Sequence, residues 1–255
     1  LTAWNVFIIT HRHIFDWLYS RDREFSQEHY SFVNVASQKL EDRYLKKFKI
    51  INMIEIPNFI PIGAEYAESE AIYNIYKHGE FYQNLDYIGF LHYDHEFLLS
   101  NGERNITERI NRYLKDKTSA HISFTTFNVL WDYFKHIMTD ESQPETLCGL
   151  GRNCYDYILT DYNQYFRTHY TLPDLLNRIK INVCSSFIID RQTFEKMMGF
   201  CSSIIESKKL NVFDSLRRYR FQGQLMERYY SVFLAFEYNE FLDLTLPHHN
   251  HLKIF

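Results

Sequence analysis

The sequence predicts an α/β fold: a single domain with a central, mostly parallel sheet flanked by helices. Three observations carry this. Short apolar runs rich in β-branched and aromatic residues alternate with longer segments of helical spacing. One such run, 86–93 (DYIGFLHY), is apolar almost throughout, as a central strand covered on both faces requires. No internal repeat, low-complexity linker or compositional break divides the 255 residues, a length that suffices for one large α/β domain with a real core.

The first run, 4–10 (WNVFIIT), ends in His11-Arg12-His13, the shape of a buried strand feeding a functional loop. Runs 30–36 and 50–56 read as the next strands, and Pro57 and Pro61 then break the chain. Residues 65–78 have helical spacing, with Ala67, Ala71, Ile72, Ile75 and Tyr76 on one face. Glu65, Glu68 and Glu70 fall early in it, where the helix dipole favours carboxylates. After the central strand come a helix over 106–114, a strand over 120–127 and a loop over 142–153. A helix over 155–165, a strand over 182–189 and helices over 191–200 and 222–236 follow.

Composition narrows the class. The net charge of −4 gives no polyanion-binding surface, so nucleic acid is not an expected partner. Of the two densest basic stretches, 46–49 reads as a solvated helix face, whereas 217–220 lies near a functional candidate. The four cysteines, Cys148, Cys154, Cys184 and Cys201, form no C-x-x-C pair and suit buried thiols in a reducing compartment. No apolar run approaches the ~18–20 residues of a membrane span. The expectation is a cytoplasmic protein without a transmembrane segment, although a sequence starting at Leu1 in place of Met says little about leaders. Twenty Tyr and 22 Phe supply flat rings that pack cores and stack on bases or sugar faces.

The most informative segment is His92-Tyr93-Asp94-His95-Glu96-Phe97, where the central strand gives out. Ligands of open α/β sheets bind beyond the carboxyl ends of the strands. Residues two apart on extended backbone point the same way, and two carboxylates on one side repel unless a cation or proton lies between them. Asp94 and Glu96 therefore read as a site for a hard divalent cation, Mn2+ or Mg2+. The plain alternative is a solvated turn carrying two unrelated acids.

The stretch 84–97 (NLDYIGFLHYDHEF) resembles the D-x-D region of GT-A glycosyltransferases. It is more closely similar to bacterial capsule and lipopolysaccharide glycosyltransferase-like proteins. Those carry a D-Y-I-G-x-x-H-Y run after a helix with an acid followed by Ala-x-Tyr, here Glu70-Ala71-Ile72-Tyr73. Such relatives have arginines after the His-Tyr, where this chain has Asp94-His95-Glu96. The resemblance covers the N-terminal half best. It implies one domain over 1–255, with a nucleotide-binding half (about 1–100) and an acceptor-binding half (about 101–255).

It also implies roles. Asp94 and Glu96 would hold the metal on the diphosphate of a nucleotide sugar, with a tail histidine, His249 or His251 from the cluster that includes His248, as a further ligand. Thr10, His11 and Arg12 would meet the nucleotide, Glu70 the ribose, and His92, Tyr93 and Asp94 the donor. The small residues of 182–187 would lie beneath the donor sugar. Glu227, in the run 222–230 (QGQLMERYY), resembles the late acid that serves as base, with Asp214 a second candidate. The expected function is metal-dependent transfer of a sugar, from a UDP-sugar, to a glycan, glycolipid or glycoprotein hydroxyl, with inversion where that hydroxyl attacks directly and retention as the alternative. A non-catalytic carbohydrate- or nucleotide-binding module and a metal-dependent phosphohydrolase are the competing readings.

Overall fold

The computed structural model describes residues 2–11, 14–35, 40, 42–99, 101–128, 154–178, 180–182, 184–216, 220–247 and 249. Along the chain they form β1 (Trp4–Thr10), α1 (Asp16–Tyr19), β2 (Tyr30–Asn34), α2 (Asp42–Leu45), β3 (Ile50–Asn52), α3 (Glu68–Lys77), β4 (Tyr87–His92), α4 (Ile106–Leu114), β5 (His121–Ser123), β6 (Thr126–Asn128), α5 (Cys154–Phe166), α6 (Leu172–Leu176), β7 (Lys180–Asn182), β8 (Phe187–Asp190), α7 (Arg191–Glu206), α8 (Phe221–Glu237) and β9 (Leu242–Asp243). Seven strands make the main sheet in the order β3-β2-β1-β4-β8-β5-β9. The first four are mutually parallel, and β8 runs against both β4 and β5. The α/β architecture with a mostly parallel sheet is the one expected.

Period-two alternation sorts the strand side chains between two cores. Phe7, Ile9, Val33, Ile88, Phe90, Phe187 and Ile189 pack against α3, α5, α7 and α8. Val6, Ile8, Phe32, Tyr87, Leu91 and Ile188 face the other way, towards Ile106, Ile110 and Leu114 of α4. Much of the aromatic excess is spent here rather than at the surface. Phe25 stacks on Tyr30 with ring centroids 4.6 Å apart, and Phe97 meets Tyr30 edge-on at 5.3 Å.

Two of the expected strands split. The run 120–127 becomes β5 and β6, and the run 182–189 becomes the end of β7 and then β8, with β6 and β7 paired in a separate two-stranded sheet. The second break is a tight turn in which Cys184 and Ser185 both take left-handed backbone, with φ of 59° and 45°. Apolar periodicity persists through such a turn because the flanking residues stay buried. The third strand ends at Asn52, three residues of 3-10 helix following it, and the helix expected over 65–78 starts at Glu68. The loop expected over 142–153 and Cys148 lie outside the described residues, among which no helix is long and apolar enough to cross a membrane.

β4 is wedged between β1 and β8 so closely that only a glycine fits at its middle. A Cβ on Gly89 would stand 2.7 Å from Ile188 Cγ1, 2.9 Å from the Phe187 carbonyl oxygen and 2.9 Å from Val6 Cγ2. Gly89→Ala is therefore expected to destabilise the fold by about 1–3 kcal/mol, read as a lower urea midpoint. An unchanged midpoint would contradict this packing.

Candidate active site

β1 and β4 lie side by side in parallel register, with Ile9 opposite His92, so both open at the same edge of the sheet. There the chain delivers His11 from beyond β1 and His92, Tyr93 and Asp94 from the end of β4. Glu68 arrives at the start of α3, and Arg220, Gly223, Gln224 and Glu227 come from the α8 side. Together they line a pocket of about 230 Å3.

Two backbone features bring the third and fourth walls in. Ala67, immediately before α3, has φ of 50°, and Arg220, immediately before α8, has left-handed φ of 58° and ψ of 30°. Gly223 seats one on the other: a Cβ there would approach the Tyr66 carbonyl oxygen to 2.9 Å and Ala67 Cβ to 3.0 Å. The turn before α3 thus touches the first turn of α8. Glu68, whose side chain is 11% exposed, points into the gap between them. His11 Nε2 lies 2.9 Å from Glu68 Oε1 and Arg220 Nη1 lies 3.8 Å from the same oxygen. Arg220 Nη2 is 3.3 and 3.2 Å from Nδ1 and Nε2 of His11.

The two pocket glutamates are driven apart in acidity. Burial works to raise the Glu68 carboxyl, but His92, His11 and Arg220 outweigh it and hold Glu68 well below the usual carboxylate range. Burial raises the Glu227 carboxyl and Glu68 adds to it, with His92, Arg228 and Arg220 only partly opposing. Pushing two neighbouring carboxyls in opposite directions is how a site separates an electrostatic role from an acid–base role. Among the described residues, one group of three offers metal-ligand atoms within 4.8 Å of one another: Glu68, His92 and Glu227. With Asp94 on the same wall, the hard oxygen and imidazole donors suit Mn2+ or Mg2+.

Of the residues singled out from the sequence, His11, His92, Tyr93, Asp94 and Glu227 meet in this pocket. Asp94 and Glu96 do not act as a pair pointing one way. The strand stops at His92, residues 93 and 94 form a turn, and the two-residue spacing no longer places both carboxylates on one side. Glu96 meets Arg21 Nε at 3.1 Å, outside the pocket lining. Between them His95 is fully buried, its ring 2.8 Å from Thr125 Oγ1 and 3.2 Å from the His92 carbonyl oxygen. His249 donates its backbone N–H to the Asp94 carbonyl at 2.8 Å while its ring meets Trp17 edge-on. The tail thus reaches the strand end through its backbone. Thr10 is buried and its carbonyl accepts the Val35 N–H. Glu70 faces the preceding loop, where Oε1 accepts the N–H groups of Ile62 and Gly63 at 2.9 and 3.2 Å. Arg12, His248, His251 and the side chain of Asp214 lie outside the described residues. The turn Cys184–Ser185 approaches the site, its thiol pushed up to about 12 by burial and then by Glu227.

Ala67, Glu68, Arg220, Gly223 and Gln224 also line the pocket, and no sequence signal isolates them as site residues. Glu68 sat among three early helix acids with nothing to separate it from Glu65 and Glu70. Arg220 belonged to the one basic stretch that stood out, 217–220. Glu70→Ala is expected to cost about 1–3 kcal/mol by leaving two loop N–H groups without their acceptor, while ligand binding in the pocket stays near that of the parent. Urea melts with binding isotherms check both halves, and a loss of binding without a loss of stability would place Glu70 in the site.

Comparison with solved structures follows from this geometry. The WbbM bifunctional glycosyltransferase, in its apo form, superposes with a TM-score of 0.56 at 12% identity, over 97% of this chain and 45% of that one. The chain therefore spans less than half the length of that protein. The mannosyltransferase Ktr4p from S. cerevisiae, in complex with GDP and without it, aligns over 92% of this chain and 66% of that one. Identities are 13% and 12%, with TM-scores of 0.47 and 0.44. No protein-family model and no curated protein sequence matches. At such identities the likeness is one of fold alone.

Proposed function

We propose that this chain is a glycosyltransferase that moves a sugar from a nucleotide diphosphate sugar, a UDP-sugar, to a hydroxyl of a glycan, glycolipid or glycoprotein. The observation that carries the proposal is Glu227: a half-buried carboxyl with raised proton affinity, facing a pocket at the carboxyl end of the central strand. Such a group suits a general base that takes the acceptor proton as the hydroxyl attacks the anomeric carbon with inversion. Residues 1–100 supply His11, Glu68, His92 and Asp94 to the donor, and residues 101–255 supply Arg220 and the base.

A divalent cation, Mn2+ or Mg2+, belongs to the same reading. His92 and Glu68, whose ligand atoms lie within 4.8 Å of one another, would hold it together with Asp94 on the same wall, and when bound it would act as a Lewis acid that neutralises the leaving diphosphate. Glu227 is left to the acceptor. Tyr93, stacked against Phe15 with centroids 5.9 Å apart and set edge-on to His11, gives the donor an apolar wall.

Glu227→Gln is expected to lower transfer by roughly 10²–10⁴-fold while UDP binding stays close to wild type. Equal turnover by the variant would remove Glu227 from the chemistry. In the metal-free protein the Glu227 carboxyl should titrate above ~4.3, the ordinary glutamate value. Titration at or below that value would contradict the assignment.

The same shift has a stability sign. A carboxyl whose folded pKa lies above its unfolded one costs stability once pH exceeds the unfolded value, and the cost grows as pH rises towards the folded value. Glu227→Gln should therefore melt higher than wild type at neutral pH, with the gap closing towards pH ~4. Asp94→Ala is expected to abolish the metal-dependent part of UDP binding, seen as equal isotherms with Mn2+ and with chelator. Wild-type binding by that variant would sink the metal role of Asp94.

A further inference from the structure

We infer that Arg220 and His11 form the anion clamp of the pocket, taking the phosphate oxygens of the donor, and that Glu68 is the residue that positions both. The identity of the anion as a nucleoside diphosphate rests on the proposed transferase reading. The clamp itself rests on geometry.

Glu68, His11 and Arg220 come from three separate stretches of chain, and their polar atoms converge within 2.9–3.8 Å. The Arg220 Nη2–H reaches the His11 ring at 3.2 Å, where a ring nitrogen without a proton accepts it, and a third group in contact with both fixes the pair. Glu68 Oε1 is that group, since it lies against both. The arrangement is stiff because the Glu68 backbone follows the left-handed Ala67, and that turn is locked against Gly223. Arg220 keeps a face towards the pocket, with 29% of its side chain exposed. A guanidinium presents planar, forked N–H groups that match two phosphate oxygens.

The backbone beside it adds to this. Arg220 stands at the N-terminus of the 17-residue helix α8, and Gly223 in its first turn lines the pocket. Helix N-terminal N–H groups and dipole favour an anion there. The negative groups that face the clamp are Asp94 and Glu227, on the β4 and α8 walls. The cation proposed at Asp94 offsets the first. Arg228, whose Nη1 lies 3.4 Å from Glu227 Oε2, offsets the second. Glu68 is thus a positioning residue, and Arg220 and His11 are the groups that touch the ligand.

The test measures binding of inorganic pyrophosphate, UDP and uridine to the whole chain by calorimetry, with and without Mn2+, for wild type, Arg220→Ala, Arg220→Lys and Glu68→Gln. Arg178→Ala, which alters a guanidinium bonded to Asn239 away from the pocket, is the control. Arg220→Ala should weaken pyrophosphate and UDP on the order of tenfold or more and leave uridine unchanged. Arg220→Lys should recover part of the loss, because charge returns without the fork. Glu68→Gln should weaken the same two ligands to a smaller degree and raise the donor KM more than it lowers kcat. Arg220→Ala lies at the pocket surface and buries no new charge, so it carries the test if Glu68→Gln fails to fold.

Wild-type pyrophosphate affinity in Arg220→Ala would overturn the clamp. A folded Glu68→Gln with wild-type affinity and KM would overturn the positioning role. Arg220-dependent pyrophosphate binding in a protein that no nucleotide sugar stabilises would uphold the clamp and defeat the transferase reading, so the two failures are distinct.

Discussion

Everything at the site depends on β4 being clamped between β1 and β8. β1 runs with it and β8 against it, so β4 is where the parallel half of the sheet gives way to an antiparallel neighbour. Gly89 lets the three strands close to a spacing that no other residue permits. The consequence is a rigid strand end. His92 and the turn at 93–94 leave the sheet at a defined place beside His11, and the start of α8 folds over them. Positioning chemistry on the ends of buried strands gives the side chains less freedom than a loop would.

Charge is distributed unevenly over that frame, and the unevenness is what makes the pocket suited to chemistry rather than to packing. Glu68 is surrounded by His92, His11 and Arg220 and stays ionised, whereas Glu227, seated at the foot of the same cavity, holds its proton more tightly. Burying an acid in this way costs stability, and a fold tolerates the cost where the group has work to do. The surrounding aromatic residues act mainly as scaffold. Tyr19 donates its hydroxyl to the Tyr93 carbonyl and packs edge-on against Phe97 at 5.4 Å, fixing the residues that follow β4.

Much of this was legible in the sequence, and the reasons divide cleanly. The run 86–93 announced the central strand because a strand buried on both faces is apolar throughout, and 106–114 and 222–236 announced their helices through spacing alone. Asp94 could be picked out because it follows the end of the central strand, and Glu227 because the run 222–230 resembles a late helix that carries an acid. The D-x-E inference overreached at Glu96: alternation holds only on extended backbone, and the backbone turns at 93–94. Glu70 was chosen through its place in the Glu70-Ala71-Ile72-Tyr73 resemblance, and helical spacing over 65–78 does not say which of the early acids faces inward. Only the left-handed kink at Ala67, set by contact with Gly223 some 150 residues later, decides that. Arg220 was likewise one of several basic residues until the left-handed turn before α8 placed it over His11.

The central claim is that this pocket is a donor site for a nucleotide sugar. It is tested most directly by incubating the protein with a panel of UDP- and GDP-sugars, with Mn2+ and with chelator, and measuring thermal shift together with nucleotide release. The account requires at least one nucleotide sugar to raise the melting temperature in the presence of metal and to release its nucleotide when a glycan acceptor is added. If no member of the panel stabilises the protein with metal present, the pocket serves some other ligand and the glycosyl-transfer reading fails.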